Sequence, residues 1–208
     1  MIPSVEYATL FQYSPRGHSE MAIRSRNLKD AIKGGNIEIL RNLIFRVISE
    51  KKDAISNFLH KNVTLIPVPR SSPLRPSSLW PSLEIANLLA ALQLGIVAPC
   101  LKRRYRINPS SLFSDAEQRP SIAEQYDSLE VEDCTTTQNI TLVDDIITIG
   151  RTCIAAASRI SEKFPNANIR IFTLLQTKGL ELDLDSYVNF QVNSITYNAS
   201  SCKCTRHQ

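Results

Sequence analysis

Residues 139–152 read NITLVDDIITIGRT. An apolar run anchored by Ile140, Leu142 and Val143 ends in two adjacent carboxylates, Asp144 and Asp145. Two more apolar residues lead to Thr148, Ile149, Gly150, Arg151 and Thr152. Neighbouring carboxylates repel one another unless a cation or hydrogen-bond donors satisfy them; Mg2+, a sugar diol or a lysine would serve. The stretch then turns into a helix starting near residue 151. A helix N-terminus preceded by a glycine-bearing loop aims several backbone N–H groups at one point, a ready anion site, and the hydroxyls of Thr148 and Thr152 add donors. Together these parts describe a pocket with a phosphate on one side and a hydroxylated or metal-bearing group on the other. A sugar phosphate fits. Taken alone, the Asp pair also fits a helix cap and a solvated turn.

Other groups could do chemistry. LKRRYR (101–106) packs four cations into the five positions from Lys102 to Arg106. It reads as a solvated charged face, as a loop facing an anionic ligand, or as a nucleic-acid patch in which Tyr105 stacks a base between cations. Trp80, the only tryptophan, reads as a core anchor beneath its loop or as a stacking platform. Cys202, Cys204 and His207 in CKCTRH could hold Zn2+ only with a fourth ligand from elsewhere; a disordered tail over 201–208 is the simpler expectation.

These groups must be held by something. Residues 19–32 read as a helix with Met21, Ile23, Leu28 and Ile32, and KGGN (33–36) breaks it. Residues 37–59 form the strongest helical candidate, with Ile37, Leu40, Ile44, Val47, Ile48, Ile55 and Leu59 recurring at spacings near three and four. VTLIPVPR (63–70) is the nearly continuous apolar run of a strand covered on both faces, ended by prolines. A Ser/Pro/Arg-rich loop (70–81), a helix (82–94) and a short strand (95–100) follow. A basic and polar stretch (101–138) precedes the strand ITLVDD. Residues 151–163 read as a helix, 168–176 as a strand, and 187–192 as a half-exposed strand by alternation. Strands alternating with helices predict an α/β fold with a mostly parallel sheet flanked by helices. Ligands in such sheets sit beyond the carboxyl ends of the strands, so loops 70–81 and 144–152 should line one crevice.

The chain has 208 residues, 43% hydrophobic and 21% charged, with a net charge of +4. That suits one soluble domain and permits phosphate-bearing ligands without specifying nucleic acid. No apolar run approaches the roughly 20 residues of a membrane span, and no signal peptide is evident at the N-terminus. The cysteines, Cys100, Cys134, Cys153, Cys202 and Cys204, number five and are scattered, unlike a secreted disulfide framework. A cytoplasmic protein with reduced thiols is expected, with Cys100, Cys134 and Cys153 as packing residues.

ITLVDDIITIGRT resembles the phosphoribosyl-pyrophosphate (PRPP) motif of type I phosphoribosyltransferases: apolar strand, two acidic residues, two apolar residues, then Thr-Thr-Gly-x-Thr. Thr141 stands where an apolar residue is usual, and Ile149 replaces the second loop hydroxyl. The likeness extends over most of the chain and is nearest to the ComF-like branch associated with DNA uptake. TLFQYSPRG followed by LKDAIKGGN is similar to that branch's Tyr-containing strand and helix ending in Lys and glycines. LIPVPRS resembles its Pro-Val-Pro strand and pyrophosphate loop, and LKRRYRINPSSLFSDAEQRPS its flexible loop. SLWPS stands where an Arg-Gly-Phe-Asn-Gln segment would be, and the N-terminal cysteine pairs of many relatives are lacking.

The resemblance implies a type I phosphoribosyltransferase fold, with cap elements at 1–35 and 177–200, and roles for individual residues. Asp144 and Asp145 would bind the ribose hydroxyls directly or through Mg2+. Thr148, Ile149, Gly150, Arg151 and Thr152 would cradle the 5-phosphate. Arg70 and Ser71 would meet pyrophosphate, and Lys102, Arg103 or Arg104 would clamp it as it leaves, Arg103 counted with the Asp pair as catalytic. The implied activity is transfer of phosphoribosyl from PRPP to an unidentified acceptor. The alternative is a non-catalytic PRPP- or nucleotide-sensing module in DNA handling or in a defence complex with a nucleic-acid-bound partner. Homodimers are frequent in the family, and no membrane association is expected.

Overall fold

The computed structural model describes residues 1–75, 77–109, 118–179 and 182–207. In chain order the elements are β1 (Ser4–Tyr13), α1 (Glu20–Lys33), a 3-10 turn (Ile37–Leu40), α2 (Arg41–Glu50), α3 (Lys52–Ile55), β2 (Thr64–Pro67), α4 (Pro81–Ala91) and β3 (Ile96–Val97). Then follow β4 (Leu101–Arg103), α5 (Ile122–Asp127), β5 (Leu129–Val131), β6 (Asn139–Ile147), α6 (Arg151–Lys163), β7 (Asn168–Thr177), β8 (Val188–Asn198) and β9 (Lys203–His207).

Seven strands form one sheet in the order β3-β2-β6-β7-β1-β8-β9, and β4 pairs with β5 in a separate ribbon. The five strands from β3 to β1 run parallel, while β8 and β9 are antiparallel to their neighbours. This is the α/β architecture with a mostly parallel sheet that the alternation of elements predicts. The register explains why the strands read as continuous apolar runs. Ile66, Leu142, Ile171 and Tyr7 lie side by side across β2, β6, β7 and β1. They pack with Cys153, Ile154 and Ile160 of α6 and with Leu101 and Leu129 of the ribbon. The next row, Val143, Phe172 and Ala8, faces the other way and packs with Ile32, Ile44, Val47, Ile85 and Leu89 of α1, α2 and α4. Both faces are covered, as parallel sheets require.

Several expectations change. The helix expected over 37–59 is three short pieces, broken at Lys51 with φ −114°, although its apolar positions stay on one face. The segments expected to form a cap, 1–35 and 177–200, supply β1 and β8 to the main sheet, with β1 in its interior between β7 and β8. The tail 201–208 is not disordered over Lys203–His207: that stretch is β9, paired along β8 from Asn198–Lys203 to Ser194–His207. Thr141, the polar residue in an otherwise apolar strand, is buried and donates to the Phe58 carbonyl at 2.6 Å. The hydroxyl thus satisfies a backbone group that lies past the last turn of α3.

Candidate functional site

β6 carries the two carboxylates. It does not stop at them, as the sequence leads one to expect. The ladder with β2 ends where Pro67 lies opposite Val143 and the Val68 amide donates to the Val143 carbonyl at 2.8 Å. β6 runs on to Ile147, held by β7 alone, with Asp144 opposite Thr173 and Ile146 opposite Leu175. β2 thus leaves one flank of β6 open from Asp144 onward. There the Asp145 amide donates to Oδ1 of Asp144 at 2.9 Å, and Ser82, at the start of α4, donates to the same oxygen at 3.2 Å.

Asp144 is half-buried, and its carboxyl is pushed up to about 7. Burial is the largest cause and the Asp145 charge adds to it, while Lys33, the Asp145 amide and Ser82 oppose. Asp145 is buried and forms an ion pair through Oδ2 with Nζ of Lys33. Lys33 is the last residue of α1, where the amides of Gly34 and Asn36 bond back to Asp30 and Ala31 at 2.8 and 2.9 Å. Of the three partners that could satisfy an Asp pair, the protein itself supplies the lysine.

The hydroxyl–glycine loop follows directly. Thr148 Oγ1 shares a hydrogen bond with Thr177 Oγ1 at 3.1 Å, which ties the ends of β6 and β7 together. Gly150 is the N-cap of α6 with φ 96°, a conformation that favours glycine. A Cβ there would stand 2.7 Å from Cδ1 of Ile195. Gly150 has no side chain to cap α6, so the helix's first amides receive no acceptor from the N-cap position. Amides at the start of a helix are the donors an anion site uses. The Arg151 side chain turns away to the carbonyls of Arg119 and Pro120 at 2.9 and 3.3 Å, so its contribution to such a site is its amide. Thr152 is half-buried on the first turn, and Ile149 is half-buried in the loop.

Loop 70–81 ends against the same strand end. Trp80 is buried, and its Nε1 donates to the Val68 carbonyl at 2.8 Å; it is the anchor of the loop. Arg70 is exposed and spans the loop with a bond to the Leu79 carbonyl at 2.7 Å. The Ser71 carbonyl accepts from Ile107 at 2.8 Å. Loops 70–81 and 144–152 therefore leave neighbouring strand ends, and the bond from Ser82 to Asp144 links the two segments.

The basic segment is placed differently from expectation. Lys102 and Arg103 lie on β4, paired with β5, and not on a loop. Lys102 and Arg104 pair with Glu132 and Glu130, each at 3.7 Å. Arg103 is buried. Its guanidinium donates to the Arg70 carbonyl at 3.0 Å, to the Gln125 carbonyl at 3.2 Å, to Oε1 of Gln125 at 3.3 Å and to the Ser128 hydroxyl. Burial lowers it to about 10, with Asp144 opposing that fall. Arg103 is thus a tie between β4, α5 and the backbone of loop 70–81. Tyr105 is exposed beyond the end of β4, and residues 110–117 of the expected flexible loop lie outside the described residues.

Sequence reasoning missed three residues here. Lys33 and Ser82 meet the Asp pair only through the fold, and no local spacing signals them. Arg206 belonged to the expected tail; on β9 its Nη2 donates to the Thr177 carbonyl at 2.8 Å, beside the hydroxyl loop, and its Nη1 is buried without a partner among the described residues. Among the described residues no three His, Cys, Asp or Glu side chains gather as a metal site. Mg2+ is commonly held by one or two carboxylates plus substrate phosphates, and Asp144 with Asp145 offers that smaller donor set. No helix among the described residues is long and apolar enough to cross a membrane. No protein-family model matches the chain, and no curated protein matches it in sequence.

Proposed function

We propose that the protein binds PRPP in a type I phosphoribosyltransferase fold and transfers its phosphoribosyl group to an acceptor, releasing pyrophosphate. One observation carries this reading: a carboxylate pair and, five residues after Asp145, an uncapped, glycine-led helix N-terminus stand together at the open end of one central strand. The amides of residues 149–152 donate to the 5-phosphate. Asp144 and Asp145 accept from the ribose hydroxyls and fix the ring. Arg70 stands where pyrophosphate leaves C1, and its charge favours the departing group as the C1–O bond lengthens toward an oxocarbenium-like state. Holding both ends of the sugar phosphate supplies the positioning. Mg2+ held by Asp144 and by the pyrophosphate oxygens would neutralise charge on the leaving group.

The engaged state of the basic segment favours a second reading. Lys102 and Arg104 are ion-paired, and Arg103 is buried, so the cations expected to clamp pyrophosphate are occupied. A module that binds PRPP without turnover, acting in DNA handling or a defence complex, needs the pocket and not the clamp. Two measurements separate these readings. PRPP with Mg2+ should raise the melting temperature of the wild-type protein, and Asp144→Asn/Asp145→Asn should abolish the rise; no rise in the wild type sinks both. Pyrophosphate release from PRPP across bases, nucleotides, DNA and proteins should then occur with one acceptor class for the enzyme and with none for the sensor.

A further inference from the structure

We propose that Lys33 is a positioning residue of this pocket: its ammonium is the standing counter-cation of Asp145, so the pair takes the ribose diol directly, with no divalent metal between carboxylate and hydroxyl. This rests on the phosphoribosyl reading above and names the residue that decides how the diol is held.

The geometry is specific. The Asp145 side chain is only 8% exposed while that of Lys33 is 49% exposed. A buried carboxylate thus has its cation delivered by a side chain that reaches in from solvent. A pair of this type is unlike an exposed ion pair of negligible worth, because removing the lysine leaves a buried charge without its partner.

Lys33 is also held in place. It closes α1, and the chain then turns through Gly34 and Gly35, the latter at φ +78°. A Cβ at Gly35 would stand 2.6 Å from Cδ1 of Leu79, so the Lys-Gly-Gly turn packs against loop 70–81. The Leu79 carbonyl is the one that holds Arg70. The lysine that serves the diol end and the arginine of the pyrophosphate end are therefore braced on the same residue.

Charge decides between diol and metal. Two carboxylates and one ammonium leave a net charge of at most −1. A divalent ion brought to Asp145 would meet the ammonium within a few ångströms, where like charges repel. A neutral diol meets no such penalty and supplies the donors that carboxylate oxygens need. A divalent ion travelling with pyrophosphate still has Asp144, whose protein bonds fall on Oδ1.

The test uses ribose 5-phosphate, which carries the diol and the 5-phosphate but no pyrophosphate to bring a metal. Its binding is titrated calorimetrically into wild-type, Lys33→Met and Lys33→Arg proteins, each with Mg2+ and with a chelator. The wild type should bind equally in both conditions. Lys33→Met should bind about tenfold or more weakly in chelator and regain affinity with Mg2+, whereas Lys33→Arg should stay near wild type in both. Wild-type binding that requires Mg2+ overturns the proposal, as does Lys33→Met binding like wild type in chelator. The first of these needs no variant, so a folding defect cannot obscure it. Failure of the wild type to bind in either condition refutes the phosphoribosyl reading itself.

Discussion

Replacing Asp144 with asparagine should stabilise the protein at pH 8 and leave its stability nearly unchanged at pH 4. Asparagine keeps the shape and, through its own Oδ1, can accept the bonds from Ser82 and the Asp145 amide, but it carries no charge. The wild-type carboxyl sits at about 7 in the folded chain against 3.8 for an unperturbed aspartate. Below 3.8 both states hold the proton and nothing is lost. As pH rises from there to about 7, the unfolded chain releases its proton while the folded chain keeps it, so stability falls across that window. The gap corresponds to on the order of 4 kcal/mol. Screening at a half-buried side chain brings the expectation to about 2 kcal/mol, or roughly 5 °C for a chain of this size. Thermal melts of both proteins by circular dichroism from pH 4 to pH 8, without divalent cations, measure it. A variant less stable than wild type at pH 8, or a difference that does not change with pH, would show that burial and the Asp145 charge do not strain this carboxylate.

Two further outcomes follow from the site's scaffold. Gly150→Ala forces a Cβ to 2.7 Å from Ile195 at a positive φ and should cost about 2 kcal/mol in urea unfolding, with sugar-phosphate binding weakened alongside. Arg103→Lys keeps a charge but loses the planar fork that serves Arg70, Gln125 and Ser128. It should lower unfolding free energy by about 1–3 kcal/mol, whereas a residue serving only as a clamp on pyrophosphate would leave the urea midpoint unmoved.

How much of this was legible depended on whether the signal was local. β2, β6 and β7 are buried on both faces, so their apolar runs stand out, and the order strand, glycine loop, helix around Gly150 survives in the structure. The end of β6 is not legible because a charge pair reads as an edge; one-sided pairing to β7 lets the strand carry Asp144 and Asp145 beyond the point where β2 leaves it. α5 lay unrecognised in the polar stretch 101–138, although Ser121 and Glu124 form a capping box, a signal present in the residues. β9 has almost no apolar content, so only its pairing with β8 reveals it. Lys33, Ser82 and Arg206 reach the site from α1, α4 and β9, and convergence from such distant segments leaves no spacing to read. The burial of Arg103 is hidden for a related reason: a cation in a basic run looks solvated until the carbonyls that surround it are known.

The position of β1 also bears on how the chain reaches this fold. The strand ends at Tyr13, yet both its neighbours, β7 and β8, begin only at Asn168 and Val188. Tyr7, Ala8, Leu10 and Phe11 are fully buried in the finished protein and have no sheet partner until those strands emerge. Pairings of such sequence separation fold slowly, and an unpaired apolar strand is an aggregation hazard during that interval. A nascent chain stopped before β7 would carry the segments of the carboxylate pair and the hydroxyl loop but lack the strand that holds the end of β6 in place. The end of β6 that carries the carboxylate pair therefore takes its place late, when β7 and β8 close the sheet around β1.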